Sequence, residues 1–309
     1  MRKSSKKRVL ILSIMLLVTL LFVCRYIPYI KPVSVEAVEH LDSVLEIHMI
    51  DVGQAESILI VQGKHAMLID TGDMFDGKTV VRYLQSVGIN KLDAVIITHY
   101  HNDHSGGMHD VLSAIDVKKV VGMRGKYIST MQEFFWYSDM QISRTVSSMV
   151  HLKRISLESP YKEAGILRTM WLGDAEVDFL SQETHTDIVN NKSIVMKVSY
   201  KDVSALFTGD SQKEVEDSLL EAEIDVSADI LNVGHHGSKT STSMDFLEKV
   251  NPEYALISCG EDNEYGHPNS FVMEKLQKQK ARVYRTDLDG DVVLETDGTK
   301  EGIMVMTSK

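Results

Sequence analysis

The sequence predicts a layered α/β sandwich, on three observations. Residues 45–50, 57–61 and 66–69 are short apolar runs parted by turns at Gly53 and Gly63, which reads as an opening β-meander. Beyond residue 78, segments with apolar residues at helical spacing alternate with runs rich in Val, Ile and Leu. Several of these runs end on a carboxylate or a histidine, the side chains that carry chemistry. A meander at the start excludes a simple doubly wound parallel sheet.

In chain order, helical spacing is found at residues 78–87, 108–115, 212–222, 243–250 and 269–280. Strand patterns are found at 94–98, 119–122, 177–180, 194–199, 204–208, 230–233, 254–258, 283–285 and 292–295. Residues 123–172 break the alternation with a Met-, Ser- and aromatic-rich stretch that includes Phe134, Phe135, Trp136 and Tyr137. It is expected to form a helical insertion over the site, its aromatics packing on the sandwich.

At 309 residues, the chain is long enough for one large α/β domain. Its 43% hydrophobic and 25% charged residues exclude a disordered, collagen-like or disulfide-dense class. Cys24 and Cys259 lie in contexts too different for a bridge, and Cys259, after an apolar strand, reads as a buried small hydrophobe. Arg2, Lys3, Lys6, Lys7 and Arg8 precede an apolar run from Val9 to Val23, the order of a signal anchor whose basic end stays in the cytoplasm. The expected organisation is a basic tail over 1–8, an uncleaved transmembrane anchor over 9–27, a stalk over 28–43 containing Pro28 and Pro32, and a catalytic domain over 44–309 outside the cell membrane. Without residues 1–30 the formal charge falls from −11 to −17. So acidic a domain repels polyanions, and nucleic acid would need metals or local cations such as Lys192 and Lys239 to hold it.

The most specific signal follows the strand at 94–98: His99-Tyr100-His101-Asn102-Asp103-His104-Ser105-Gly106-Gly107. Four ligand-type side chains in six residues cannot all be satisfied in a core, and imidazoles at 99 and 101 can face one metal while Asp103 and His104 turn to a second. Two further strands end in the same way. One closes on Thr208-Gly209-Asp210, whose carboxylate can bridge two cations, and the other on Gly234-His235-His236-Gly237-Ser238. His267, in Tyr265-Gly266-His267-Pro268, precedes a helix and is placed to protonate a leaving oxygen or hold a phosphate, or else to serve as a satisfied loop histidine. His40, His48, His65 and His109 read as structural.

These segments, with Ile50-Asp51-Val52-Gly53-Gln54-Ala55-Glu56-Ser57 and Leu68-Ile69-Asp70-Thr71-Gly72-Asp73, resemble the metallo-β-lactamase superfamily over about residues 45 to 296. Within it they resemble the hydrolase domain of ComEC-type competence proteins and the phosphorylcholine esterases. The resemblance implies a four-layer αββα sandwich with two divalent ions, Zn²⁺ first and Mn²⁺ or Fe as alternatives. His99 and His101 would bind the first ion, Asp103, His104 and His235 the second, and Asp210 both. Asp70 would orient a ligand histidine, and Asp103 and His267 are the candidate catalytic residues. A third histidine for the first ion has only His151 and His185 to draw on between the two main motifs, and Asn190-Asn191-Lys192-Ser193 matches the competence-type segment there, which leaves the first site poorer in ligands or completed by an Asn or water. Glu56 stands where the related pattern has Asp. The implied reaction is attack by a metal-bridging hydroxide on a phosphodiester, either DNA or a phosphorylated envelope polymer. Two alternatives are hydrolysis of an acyl ester, lactone or β-lactam, and a non-catalytic surface module of a DNA-uptake or envelope complex.

Overall fold

The strands, in chain order, are β1 (Leu45–Met49), β2 (Ile58–Gln62), β3 (His65–Ile69), β4 (Lys91–Leu92), β5 (Ala94–Ile97), β6 (Asp116–Val117), β7 (Lys119–Gly122), β8 (Ser156–Glu158), β9 (Thr169–Leu172), β10 (Ala175–Phe179), β11 (Met196–Tyr200), β12 (Val203–Phe207), β13 (Ile230–Asn232), β14 (Tyr254–Ile257), β15 (Arg282–Arg285), β16 (Val292–Thr296) and β17 (Met304–Thr307). The helices are α1 (Gly77–Ser86), α2 (Asn102–Ser105), α3 (Met108–Ala114), α4 (Lys213–Glu221), α5 (Met244–Val250), α6 (Ser270–Gln279) and α7 (Thr286–Asp289). The computed structural model describes residues 40–122, 153, 155–158, 168–181 and 188–309.

One sheet runs β17-β16-β1-β2-β3-β5-β7-β8 and the other β15-β14-β13-β12-β11-β10-β9, with β4 and β6 forming a small separate pair. Alternation along each strand makes the layers. Ile58 and Ile60 of β2 join Phe179, Val198, Phe207 and Leu256 in the core between the sheets, whereas Leu59 and Val61 pack outward on Val80 and Leu84 of α1 and Val111 and Leu112 of α3. On the far side, Leu206, Leu231 and Ala255 pack against Leu219, Phe246 and Val272 of α4, α5 and α6. The result is helix, sheet, sheet, helix, the four-layer sandwich expected. Leu59 is fully buried in the middle of its sheet, so Leu59→Ala is expected to cost about 2–5 kcal/mol, read by urea denaturation.

Each sheet changes from antiparallel to parallel along its width, and this change places the site. The meander of β1, β2 and β3 hands over to parallel β3, β5 and β7, and in the other sheet β12, β13 and β14 are parallel. In-register pairs such as Ile69 with Ile96 and Phe207 with Asn232 bring the carboxyl ends of these strands level, where ligands bind in α/β sheets.

Helix boundaries follow capping chemistry. Ser243 and Asn269, expected as helical, are N-caps whose side chains accept from Phe246 N and Phe271 N, and Lys280 closes α6 in the left-handed region. Residues 40–43, assigned to the stalk by sequence, pack on the domain instead: Asp42 O accepts from Gln62 Nε2 at 2.5 Å. The expected helical insertion over 123–172 is corrected at its end by β8 and β9. Met170 and Leu172 are buried and Trp171 is 61% exposed, a period of two rather than 3.6. Residues 123–152 with the aromatic run, the expected anchor, residues 28–39 of the stalk, His151 and His185 all lie outside the described residues. Among the described residues, no helix is long and apolar enough to cross a membrane.

Candidate metal centre

Asp70 leaves β3 with φ at 56°, a conformation that aspartate tolerates better than most residues, and is fully buried. Its Oδ1 accepts from Thr98 N (2.8 Å), and its Oδ2 from Thr98 Oγ1 (2.6 Å) and His104 Nδ1 (2.7 Å). A carboxylate only accepts, so His104 carries a proton on Nδ1 and turns Nε2 inward, where a cation would take the place of the second proton of the imidazolium. The Thr98 hydroxyl proton is committed to Asp70, so toward His99 Nδ1 (3.2 Å) the oxygen accepts, which frees His99 Nε2 in the same way. Asp70 thus fixes His104 directly and bears on His99 through Thr98, beside Ser193 Oγ at 3.3 Å from His99 Nδ1. Helix α2 is the turn that brings Asp103 and His104 back beside His99. It can sit there because Gly107 has no Cβ, which would collide with the Thr71 carbonyl oxygen.

The ligand-type atoms gather into two groups around the two oxygens of Asp210. His99 Nε2 and His235 Nε2 lie 3.6 and 3.5 Å from Oδ2, with His101 Nδ1 3.1 Å from His99 Nε2. His104 Nε2 and His236 Nε2 lie 3.2 and 3.8 Å from Oδ1, with Asp103 Oδ2 3.5 Å from His236 Nε2. His104 Nε2, His236 Nε2 and Asp210 Oδ1 are buried with no hydrogen bond of acceptable geometry despite lying so close together. Buried polar atoms are seldom left so. His236 Nδ1 donates to Ser258 O (2.9 Å), so its Nε2 also points inward, and imidazole nitrogens and carboxylate oxygens converging in this way fit a divalent cation.

Electrostatics agree with that fit. Against the penalty of burial, His104, His236 and His99 hold the Asp210 carboxyl well below its ordinary range, and Asp210 and Asp70 hold the His104 imidazolium well above its own. Against burial again, the His236 imidazole 3.5 Å away and the charge of His104 hold the Asp103 carboxyl below its ordinary range. Burial and the charge of His104 push His99 well down. In the metal-free protein, protons on histidine balance the carboxylates that a cation would otherwise balance.

The expected partner of Asp103 and His104 was His235, and the structure places His236 there instead. Both histidines follow β13 with φ at 54°, so the left-handed turn folds two successive imidazoles into one pocket, each toward a different oxygen of Asp210. Spacing alone carried no signal for this. His235 lies on the Oδ2 side of Asp210, beside the first group, and Asn190 Nδ2 lies 3.3 Å from its Nε2. The rest of that segment positions Asp210: Ser193 Oγ accepts from Asp210 N (3.0 Å), and Asn191 Oδ1 accepts from Gln212 N (3.0 Å).

His267 is brought to the rim, with its ring centroid 5.7 Å from that of His235 and 6.4 Å from that of His236. Burial and those two neighbours lower it to about 4, so it is neutral near pH 7. His40 and His48, read as structural, share Glu46 at 2.8 and 3.0 Å, and His65 pairs with Asp93 at 2.9 Å. Cys259 is buried with its Sγ 3.2 Å from Asp287 Oδ1, as expected of an inert thiol.

Glu56 lies behind the second group and accepts from Asn232 Nδ2 (3.0 Å). Burial raises its carboxyl from 4.5 to about 7. Its folded pKa is therefore above its unfolded value, so the stabilisation is complete below about 4.5 and is lost as pH rises through about 7. Between those limits, the metal-free protein is expected to lose stability relative to a Glu56→Gln variant. Urea melts across pH check this, and parallel profiles would contradict it.

The model of the "Metallo-beta-lactamase superfamily" matches residues 50–261. The chain is 31% identical to ComE operon protein 3 of Bacillus subtilis over 82% of its own length and 33% of that protein's. It is 29% identical to competence protein ComA of Neisseria gonorrhoeae over 78% of its length and 30% of that protein's. The chain thus spans about a third of the length of these curated relatives. Among solved structures, the metallo-beta-lactamase fold protein YhfI from Bacillus subtilis aligns with a TM-score of 0.51 at 14% identity, over 78% of this chain and 96% of that one. With the ligand-bearing strand ends, the shared layers and this match over most of the domain, the chain belongs to the metallo-β-lactamase superfamily and is related to its ComEC-type competence proteins.

Proposed function

We propose that the chain is a two-metal phosphodiesterase, anchored by residues 9–27 with its catalytic domain outside the cell membrane. The observation that carries the metal count is the pair of donor groups sharing one carboxylate, one on each oxygen of Asp210. Imidazole and carboxylate donors without thiolate suit Zn²⁺ first, with Mn²⁺ and Fe as alternatives. Divalent ions bound there supply a nucleophilic water at neutral pH and neutralise charge on a phosphoryl oxygen. The chain's own groups do the rest. Asp70 and Thr98 hold His104 and His99 in the tautomers that present lone pairs, and Asp103, ionised, completes the second group. His267, neutral at the rim, offers a proton or hydrogen bond to the departing oxygen. The basic-then-apolar order of residues 1–27 supports the anchor.

A polymer phosphodiester, DNA or a phosphorylated envelope polymer, is the substrate class that the competence-type resemblance supports. The full-length chain, loaded with Zn²⁺ or Mn²⁺, should be assayed in parallel on bis-p-nitrophenyl phosphate, single- and double-stranded DNA, p-nitrophenyl phosphorylcholine and a chromogenic cephalosporin. Turnover of the phosphodiesters is expected. Turnover of the cephalosporin alone would replace this reading with acyl hydrolysis, and turnover of none would point to a non-catalytic module.

A further inference from the structure

We infer that Gln54 is a positioning residue that fixes His267 with its proton on Nε2, so that this imidazole meets substrate as a hydrogen-bond donor and not as a base. Gln54 stands in the segment Asp51-Val52-Gly53-Gln54, a motif that the donor groups around Asp210 do not use. Its Oε1 accepts from Gly260 N at 3.0 Å. A backbone N–H can only donate, so that bond decides which end of the amide is oxygen. The NH₂ end is thereby turned to His267, with Nε2 of Gln54 3.4 Å from Nδ1 of the ring. An NH₂ group can only donate as well, and a proton on His267 Nδ1 would set two donors against each other. Nδ1 must accept, which leaves the proton of the neutral ring on Nε2.

The rest of the loop holds this geometry. Asn263 Oδ1 accepts from His267 N (2.9 Å), and Asn263 Nδ2 donates to Gly260 O (2.9 Å) and His267 O (2.6 Å), tying both ends of the loop to one side chain. The ring lies within 21° and 22° of parallel to Tyr265 and His236. Among the described residues, no group pairs with His267 Nε2, so the fixed proton is available to a ligand at the rim.

The catalytic consequence rests on the phosphodiesterase reading, whereas the tautomer itself does not, and the test separates them. Full-length protein labelled with ¹⁵N-histidine is examined by long-range ¹H–¹⁵N correlation at pH 7, with His267 assigned by the loss of its signals in His267→Gln. The expected wild-type ring has an unprotonated Nδ1 and a protonated Nε2. In Gln54→Glu both carboxylate oxygens accept, so Nδ1 should become protonated, and in Gln54→Met, which removes both bonds at similar volume, the two tautomers should mix. A wild-type ring protonated on Nδ1, or a tautomer unmoved by Gln54→Glu, overturns the inference. On bis-p-nitrophenyl phosphate, Gln54→Glu should lower kcat by about 10²-fold, the usual scale for a lost proton or hydrogen-bond donor, with KM nearly unchanged. An equal fall in kcat and rise in KM would instead indicate general damage to the site. If the wild type does not hydrolyse the ester, the phosphodiesterase reading fails while the spectra still decide the tautomer.

Discussion

Replacing Asp210 by Asn is expected to abolish hydrolysis, lowering kcat/KM by about 10³-fold or more, while the fold survives. On the proposed two-metal reading, several kcal/mol of charge stabilisation would depend on cations held side by side, and each 1.36 kcal/mol is tenfold in rate. Among the described residues, Asp210 is the carboxylate that faces both donor groups, and an amide offers one oxygen where the carboxylate offers two. Its backbone N–H bond to Ser193 is untouched by the change, which is why secondary structure should hold. Steady-state kinetics and circular dichroism on the same preparation check both halves. A variant within tenfold of wild type would remove Asp210 from the centre of the account.

The second large effect is expected at a residue that touches no reacting atom. In Asp70→Asn, one oxygen can still accept from Thr98 N, but the NH₂ would face His104 Nδ1 and donate to it. His104 would then carry its proton on Nε2, pointing at Asp210 instead of presenting a lone pair. Metal affinity is expected to fall by about 10–100-fold, the usual cost of losing the group that orients a ligand histidine. Asparagine is the appropriate probe because it also tolerates the left-handed backbone at this position. Competition with a metal-binding dye measures the change, and unaltered affinity would mean that Asp70 serves only to join β3 to β5.

Much of this was legible in the sequence because strand ends carry their own signal. Apolar runs that stop on His99, Asp210 and His235 mark both the layer and the end of the sheet where chemistry sits, whereas Asp70 reads by itself as a turn residue and gains its role only through the family resemblance, and helices α1, α3, α4, α5 and α6 fell within a residue or two of their periodic segments. What was not legible depends on backbone dihedrals and on pairing across long separations. Two consecutive left-handed histidines exchange the roles of His235 and His236, and no spacing rule reports a positive φ at a non-glycine residue. Likewise Ser193 and Asn190 reach Asp210 and His235 only once β11, β12 and β13 are paired. Glu46 joining His40 to His48 is a contact between β1, the residues before it and the end of α1, which composition could not supply. The edge strand β17 was missed because so few of its residues are buried that alternation is short and weak.

Whether Asp210 bridges two cations is decided by an anomalous-difference map from crystals of the chain grown with Zn²⁺. Two peaks about 3.5–4 Å apart are expected, one on each carboxylate oxygen of Asp210, the first among His99, His101 and His235 and the second among Asp103, His104 and His236. A single peak, or a pair that leaves one oxygen of Asp210 unengaged, would contradict that bridge.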